Sequence, residues 1–269
     1  MLAARADRNA LVTALQARRL DLTLTTALPA IDPHDDQAVG ATGLPPLDSR
    51  LGGGLPRGHL SEIVGPRSSG RTSLLLQVMA AATARGELVA LVDALDMLDV
   101  ASAAAAGVDL ARLLWVRGHV VTNPGFCRDL NQRAMEQALK ALGLVLQAGN
   151  IGLVALDLGD APQDAVRRLP FTTWLRLQRM VEGSHAICVL VGNEPMSRSS
   201  AGLSITLQPS SLPVDVAPDV AADLQVRKSG RFVGHLLDGL DLEARVGRAR
   251  VHGTDSGALP LATKVAHHV

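Results

Sequence analysis

The apolar positions change period along the chain, and those changes mark out its elements. Between about Asp7 and Leu20, Leu11, Ala14, Leu15 and, less regularly, Leu20 fall on one helical stripe while Arg8, Arg18 and Arg19 lie off it, which predicts a short amphipathic arm. The polar stretch from Ala30 to Gln37 (AIDPHDDQ) then reads as a linker. From Thr42 onward, compact apolar runs alternate with helical periods. Strands are predicted at Leu60–Val64, Leu88–Val92, Gly152–Leu156 and Ile187–Val191, and helices at Ser73–Arg85, Val100–Ala106, Asn131–Gln147 and Phe171–Glu182. Strands that are apolar throughout need cover on both faces, so the order predicts an α/β fold: a mostly parallel twisted sheet with helices on both faces.

After Gly192 the character changes. Leu203–Leu207, Asp223–Lys228, Arg231–Leu236 and Ala244–Val251 read as strands between Pro-, Ser- and Gly-rich turns, which predicts an antiparallel C-terminal edge. Gly253–Val269 has no clear period and reads as a flexible tail. The expected organisation is therefore an arm and linker over 1–41, a core domain over 42–252 and a tail over 253–269.

Composition adjusts this picture in three ways. With 269 residues, 47% of them hydrophobic, the chain is long enough to bury a substantial core. Lys+Arg and Asp+Glu both total 26, so no global positive field draws it onto nucleic acid, and any such contact has to be local or borrowed from a partner. Cys127 and Cys188 lack metal-ligand spacing, and no apolar run has the length of a membrane span or a signal segment, so a reduced, zinc-free, cytoplasmic protein is expected.

The most informative stretch is Leu60–Ser73, LSEIVGPRSSGRTS, which reads as a strand, a glycine-bounded turn and a helix start. It fits the phosphate-loop pattern GxxxxGK[ST] at every defined position except the lysine, where Arg71 stands. Gly65, Pro66, Arg67, Ser68, Ser69, Gly70, Arg71, Thr72 and Ser73 are accordingly the candidate phosphate-binding residues, with backbone N–H groups and the helix start facing the phosphates. Thr72 sits where a Mg²⁺-holding hydroxyl belongs. Lysine is a compact point charge, whereas guanidinium is planar, longer and prefers a bidentate partner. A glycine-rich strand-to-helix turn is also sometimes no more than a turn.

The surroundings carry a resemblance. The run Thr42–Thr72, TGLPPLDSRLGGGLPRGHLSEIVGPRSSGRT, followed by VDALDMLD at Val92–Asp99 and AGVDLARLLW at Ala106–Trp115, resembles bacterial RecA recombinases from about Thr42 to Val251, most strongly in the first third. The resemblance implies a RecA-like phosphate-loop fold that takes ATP or ADP with Mg²⁺. It aligns Asp157 with the acid that holds a water on Mg²⁺, Leu95 with the catalytic glutamate, and Asn193 with the glutamine that senses the terminal phosphate. Three parts of the hydrolysis machinery have thus changed together, no catalytic residue is assigned, and efficient turnover is not expected. Asp96, pointing to the opposite face of an extended segment from Leu95, is no substitute.

The family's two DNA-binding loops correspond to about Leu158–Pro170, with Arg167 and Arg168, and to Glu194–Gly202; both are short. Arg248 and Arg250 alternate onto one face of a predicted C-terminal strand and form a second candidate basic strip, for a phosphate backbone or for protection of a sheet edge. Three Phe, two Trp and no Tyr leave few platforms for stacking single-stranded bases. Among RecA-like groups the chain most resembles ImuA, an SOS-induced accessory protein of translesion synthesis. This implies as partners the Y-family polymerase homologue ImuB, an error-prone replicative-type polymerase and RecA itself, with no membrane. Two alternatives remain open at this point: a slow DNA-dependent RecA- or KaiC-like ATPase, and a scaffold that binds no nucleotide.

Overall fold

A computed structural model describes residues 39–119, 128–182, 184–197, 203–209, 230–233, 236–249 and 257–262; of 128, 129, 230–241, 247–249 and 262 only the backbone path is described. The expected N-terminal arm lies outside these residues. In chain order the elements are β1 (Val39–Gly40), α1 (Pro45–Arg50), β2 (Leu55–Pro56), β3 (Leu60–Val64), α2 (Arg71–Ala84), β4 (Val89–Asp93), α3 (Val100–Ala105), a 3₁₀ turn (Leu110–Arg112), β5 (Leu113–Arg117), α4 (Arg128–Ala148) and β6 (Leu153–Asp157). They continue with α5 (Gln163–Arg167), α6 (Phe171–Val181), β7 (Ile187–Gly192), β8 (Leu203–Pro209), β9 (Gly230–Val233), β10 (Leu236–Ala249) and β11 (Ala258–Ala262).

The main sheet runs β11-β10-β8-β3-β7-β6-β4-β5, and β9 pairs with β10. From β8 to β5 every neighbouring pair is parallel, while β10 is antiparallel to β8, β9 and β11. This is the expected α/β fold with an antiparallel C-terminal edge. One strand departs from the expectation: Leu203–Leu207, read as part of that edge, lies parallel to β3. Its buried Leu203, Ile205 and Leu207 alternate with half-buried Ser204 and Thr206, and such alternation does not encode strand direction.

The sheet separates two cores. Along β6, Leu153 and Ala155 point to one and Val154 and Leu156 to the other. On the first face α2 lays down Leu74, Leu75, Val78, Met79 and Ala82; on the second, α4 supplies Met135, Leu139, Leu142 and Leu146, and α6 supplies Trp174, Leu177 and Val181. These last two sets recur at three- and four-residue steps, the stripe of a half-buried helix. Asp48, within the motif that carried the resemblance, closes a turn by accepting the Thr42 N–H at 2.7 Å and its hydroxyl at 2.8 Å. Cys188 is free, buried in β7, and its thiol is pushed up to about 12 by burial, which makes it inert. No described helix is long and apolar enough to cross a membrane.

The expected domain limits move outward at both ends. Val39 and Gly40 pair with Pro56 and Leu55, ahead of residue 42. Within the stretch read as a flexible tail, Ala258–Ala262 pairs with Asp241–Arg245, and Arg50 Nη2 donates to the Gly257 carbonyl at 3.1 Å. A five-residue edge strand of Ala, Leu and Pro carries too little pattern to be read from sequence, and its register comes from the backbone of β10.

The face of α4 makes a direct test of the second core. Leu142 is fully buried and Leu144, two residues on, is 69% exposed. Leu142→Ala should cost about 2–5 kcal/mol of unfolding free energy in a denaturant titration, whereas Leu144→Ala should stay within about 0.5 kcal/mol of the parent.

Candidate functional site

The C-terminal tips of β3, β4, β6 and β7 converge on the start of α2. Gly65 follows β3, the crown Pro66, Arg67 and Ser68 is exposed, and Ser69 and Gly70 turn back into the protein before α2 begins at Arg71. Gly70 has φ 84°, a left-handed conformation, and a Cβ there would collide with the Leu242 side chain of β10, so only glycine fits. Thr72 and Ser73 are exposed in the first turn of α2.

Arg71 is buried, and its guanidinium turns back under the loop. Nη1 donates to the Gly65 carbonyl at 2.6 Å and to Asn193 Oδ1, and Nη2 pairs with Asp160 Oδ1 at 2.5 Å. The other oxygen of Asp160 takes Arg67 Nη2 at 2.9 Å, so a single carboxylate bridges both cations of the loop. A cation at a helix N-terminus opposes the helix dipole, and burial raises the cost of leaving it unpaired; Asp160 answers both. Gly159 permits the approach, because a Cβ there would sit 2.9 Å from Asp157 Oδ1 and 3.4 Å from Arg71 Nη2.

Asp157 ends β6 beside Asp93, its register partner at the end of β4. Burial pushes its carboxyl up to about 6, and Asp93 and Asp160 push the same way, against the Gly159 N–H bond at 2.7 Å and the charge of Arg71. Asp93 accepts the Leu98 N–H at 2.8 Å and the Trp115 indole N–H at 3.2 Å. Glu62, buried in β3, accepts the N–H groups of Met196 and Ser197 at 2.8 and 2.7 Å and so ties the segment after β7 to the strand that leads into the loop.

The expected site residues are therefore brought together as far as Gly65–Ser73, Asp157 and Asn193 are concerned. Leu95 packs against the second core. Asp96, in a left-handed backbone conformation, makes a two-pronged ion pair with Arg117 at 2.6 and 2.7 Å, and that guanidinium lies over Trp115. Both charges are thereby committed to the edge of the sheet, well matched to the low carboxyl pKa that Arg117 imposes on Asp96. Arg167 pairs with Glu194 at 2.9 Å, joining the two short loops, and Arg168 pairs with Asp164 at 2.8 Å. Both lie on the surface at the end of α5. The backbone of Arg248 lies in β10, but its side chain and the whole of Arg250 fall outside the described residues.

Sequence reading missed Asp160 and Glu62. Asp160 follows Asp157 by three residues in Gly-Asp-Ala-Pro, which reads only as a turn, and Glu62 is one acid inside an apolar strand. Among the described residues no cluster of three acid, His or Cys side chains is arranged to hold a metal. The loop itself still fits a phosphate in its backbone: a two-glycine turn, the open start of a 14-residue helix, exposed Thr72, and a buried Ser69 hydroxyl with no hydrogen-bond partner. Its buried cation does not, being already held by Asp160, Asn193 and Gly65.

Residues 30–162 match the RecA N-terminal domain family, a span that includes the loop, Asp157 and Asp160 and stops short of Asn193. RecA of Bordetella petrii is 42% identical over 125 residues, covering 46% of this chain and 31% of that protein. RecA of Nitratiruptor is 37% identical over 128 residues (47% and 32%), and RecA of Chlorobium chlorochromatii 32% over 170 residues (58% and 44%). The chain spans between about a third and less than half of the length of these relatives.

Asp157 yields a pH prediction. The fold favours its neutral form, so the stability this group contributes is complete below its ordinary value of 3.8 and is lost as pH rises through about 6. Asp157→Asn should therefore raise the stability of the ligand-free protein at about pH 7.5, by on the order of 2–3 kcal/mol. Melting curves across the acid range should show the two proteins converging as pH falls; a variant that melts lower at neutral pH would contradict the assignment.

Proposed function

We propose that this chain, RecA-like across residues 30–162, is an accessory protein of DNA repair that serves error-prone synthesis across lesions through protein partners rather than by hydrolysing ATP. The observation that carries this reading is the state of Arg71: the cation at the lysine position of the phosphate loop is consumed by Asp160, Asn193 and Gly65. Two further features support it. Leu95 cannot polarise water, and Asp96 beside it is committed to Arg117. Arg167 and Arg168, at the expected DNA loops, are both paired with acids, which favours partners over direct strand binding.

When ATP or ADP is bound, the backbone N–H groups at the start of α2, from Gly70 to Ser73, would cradle its phosphates and the Thr72 hydroxyl would hold Mg²⁺. Asp157 would act on that ion through water. The nucleotide would then serve as a structural ligand. On the ImuA resemblance the partners are an ImuB-type polymerase homologue, an error-prone replicative-type polymerase and RecA; co-purification from cells with damaged DNA tests that assignment.

The direct test of the loop is phosphate release by the full chain with ATP and Mg²⁺, with and without single-stranded DNA. Each lost preorganised charge or donor removes about 10²–10³ in rate, so turnover should be undetectable in either condition. A rate comparable to that of an active recombinase, abolished by Asp157→Ala, would sink the reading.

A further inference from the structure

We propose that Asp160 is a built-in competitor for phosphate: its carboxylate occupies, from within the chain, the charge position that an anionic ligand of the loop would take, and so sets whether the loop binds phosphate at all. The inference deepens the reading above and rests on the same loop.

Three observations carry it. First, Asp160 meets the loop as a phosphate group would, with one oxygen on the buried guanidinium of Arg71 at 2.5 Å and the other on the exposed guanidinium of Arg67 at 2.9 Å. Second, further parts of an anion cradle are present: the Ser69 hydroxyl, beside Gly65, is buried without a partner, Thr72 is exposed, and α2 presents its N-terminus. Third, Asp160 sits on a short turn closed by the Ala161 N–H to the Leu158 carbonyl at 2.8 Å, three residues past the tip of β6, and is itself partly open to solvent. It is therefore placed to be displaced, whereas Arg71, held also by Gly65 and Asn193, is not.

An incoming phosphate has to compete with this carboxylate for the same two cations while being repelled by its charge. Removing the charge should leave Arg71 and Arg67 with no anion and a strong demand for one. The arginine then becomes an asset, since guanidinium binds phosphate oxygens in pairs.

The experiment compares the full-length parent, Asp160→Asn and Asp160→Ala by calorimetry with inorganic pyrophosphate and with ADP, each with Mg²⁺, and by melting temperature with and without pyrophosphate. The expected result is pyrophosphate binding about tenfold to a hundredfold tighter in Asp160→Asn than in the parent, the scale of one charge-assisted hydrogen bond. Arg71→Ala added to Asp160→Asn should abolish the gain. Asp160→Ala should melt below the parent in buffer and recover most of the loss on adding pyrophosphate. Equal affinity in parent and Asp160→Asn, or a melting loss in Asp160→Ala that pyrophosphate does not repair, would overturn the proposal and leave Asp160 a structural ion-pair partner only. The outcome is distinguishable from that of the hydrolysis test, because the absence of turnover rests also on Leu95, which takes no part in the pyrophosphate comparison.

Discussion

A guanidinium buried at the first residue of a helix has to be neutralised, and the arrangement of the strand tips follows from that requirement. Arg71 enters α2 where the helix dipole already concentrates positive potential. The carbonyl of Gly65, the amide oxygen of Asn193 and the carboxylate of Asp160 close around it, drawn from the ends of β3, β7 and β6. Gly159 stays without a side chain so that the guanidinium and Asp157 can both come close. Had lysine stood at 71, a slender ammonium would have left the space before the helix open.

The same economy extends outward. Arg167 is answered by Glu194, Arg168 by Asp164 and Arg117 by Asp96, so this end of the sheet is balanced by local pairs in a chain whose overall charge is also zero. Exposed pairs of this kind contribute little stability. Their effect is to set basic side chains beside acids at the surface. Beneath them, Glu62 fixes the segment after β7 through two backbone N–H groups, which keeps Asn193 within reach of Arg71.

Most of the fold was legible because its strands are buried on both faces and its helices on one. The runs at Leu60, Gly152 and Ile187 and the stripes of α4 and α6 carry that signal directly, and their boundaries agree with the structure to within a few residues. What was not legible lacks such a pattern: β5 lies at one end of the sheet order with Leu114 nearly half exposed, β11 is an edge strand, and the parallel course of β8 is a matter of topology rather than of period. At the site, the loop and Asp157 were found by spacing along the chain. Asp160 was not, because its partners Arg67 and Arg71 lie far away in sequence and only the pairing of β6 with β7, and of β7 with β3, brings them together.

That pairing order also governs how the protein is made. β3, the strand that leads into the phosphate loop, has β7 on one edge and β8 on the other, both encoded in the last third of the chain. During synthesis β4, β5 and β6 emerge able to assemble with one another, while Leu60–Val64 waits with both edges unpaired. Closing contacts over such separations is slow, and an apolar strand left open invites association with other chains in the meantime. Ribosome-bound chains that stop before β7 should hold the β5-β4-β6 part of the sheet but not the loop, which takes shape only once β7 and β8 have emerged.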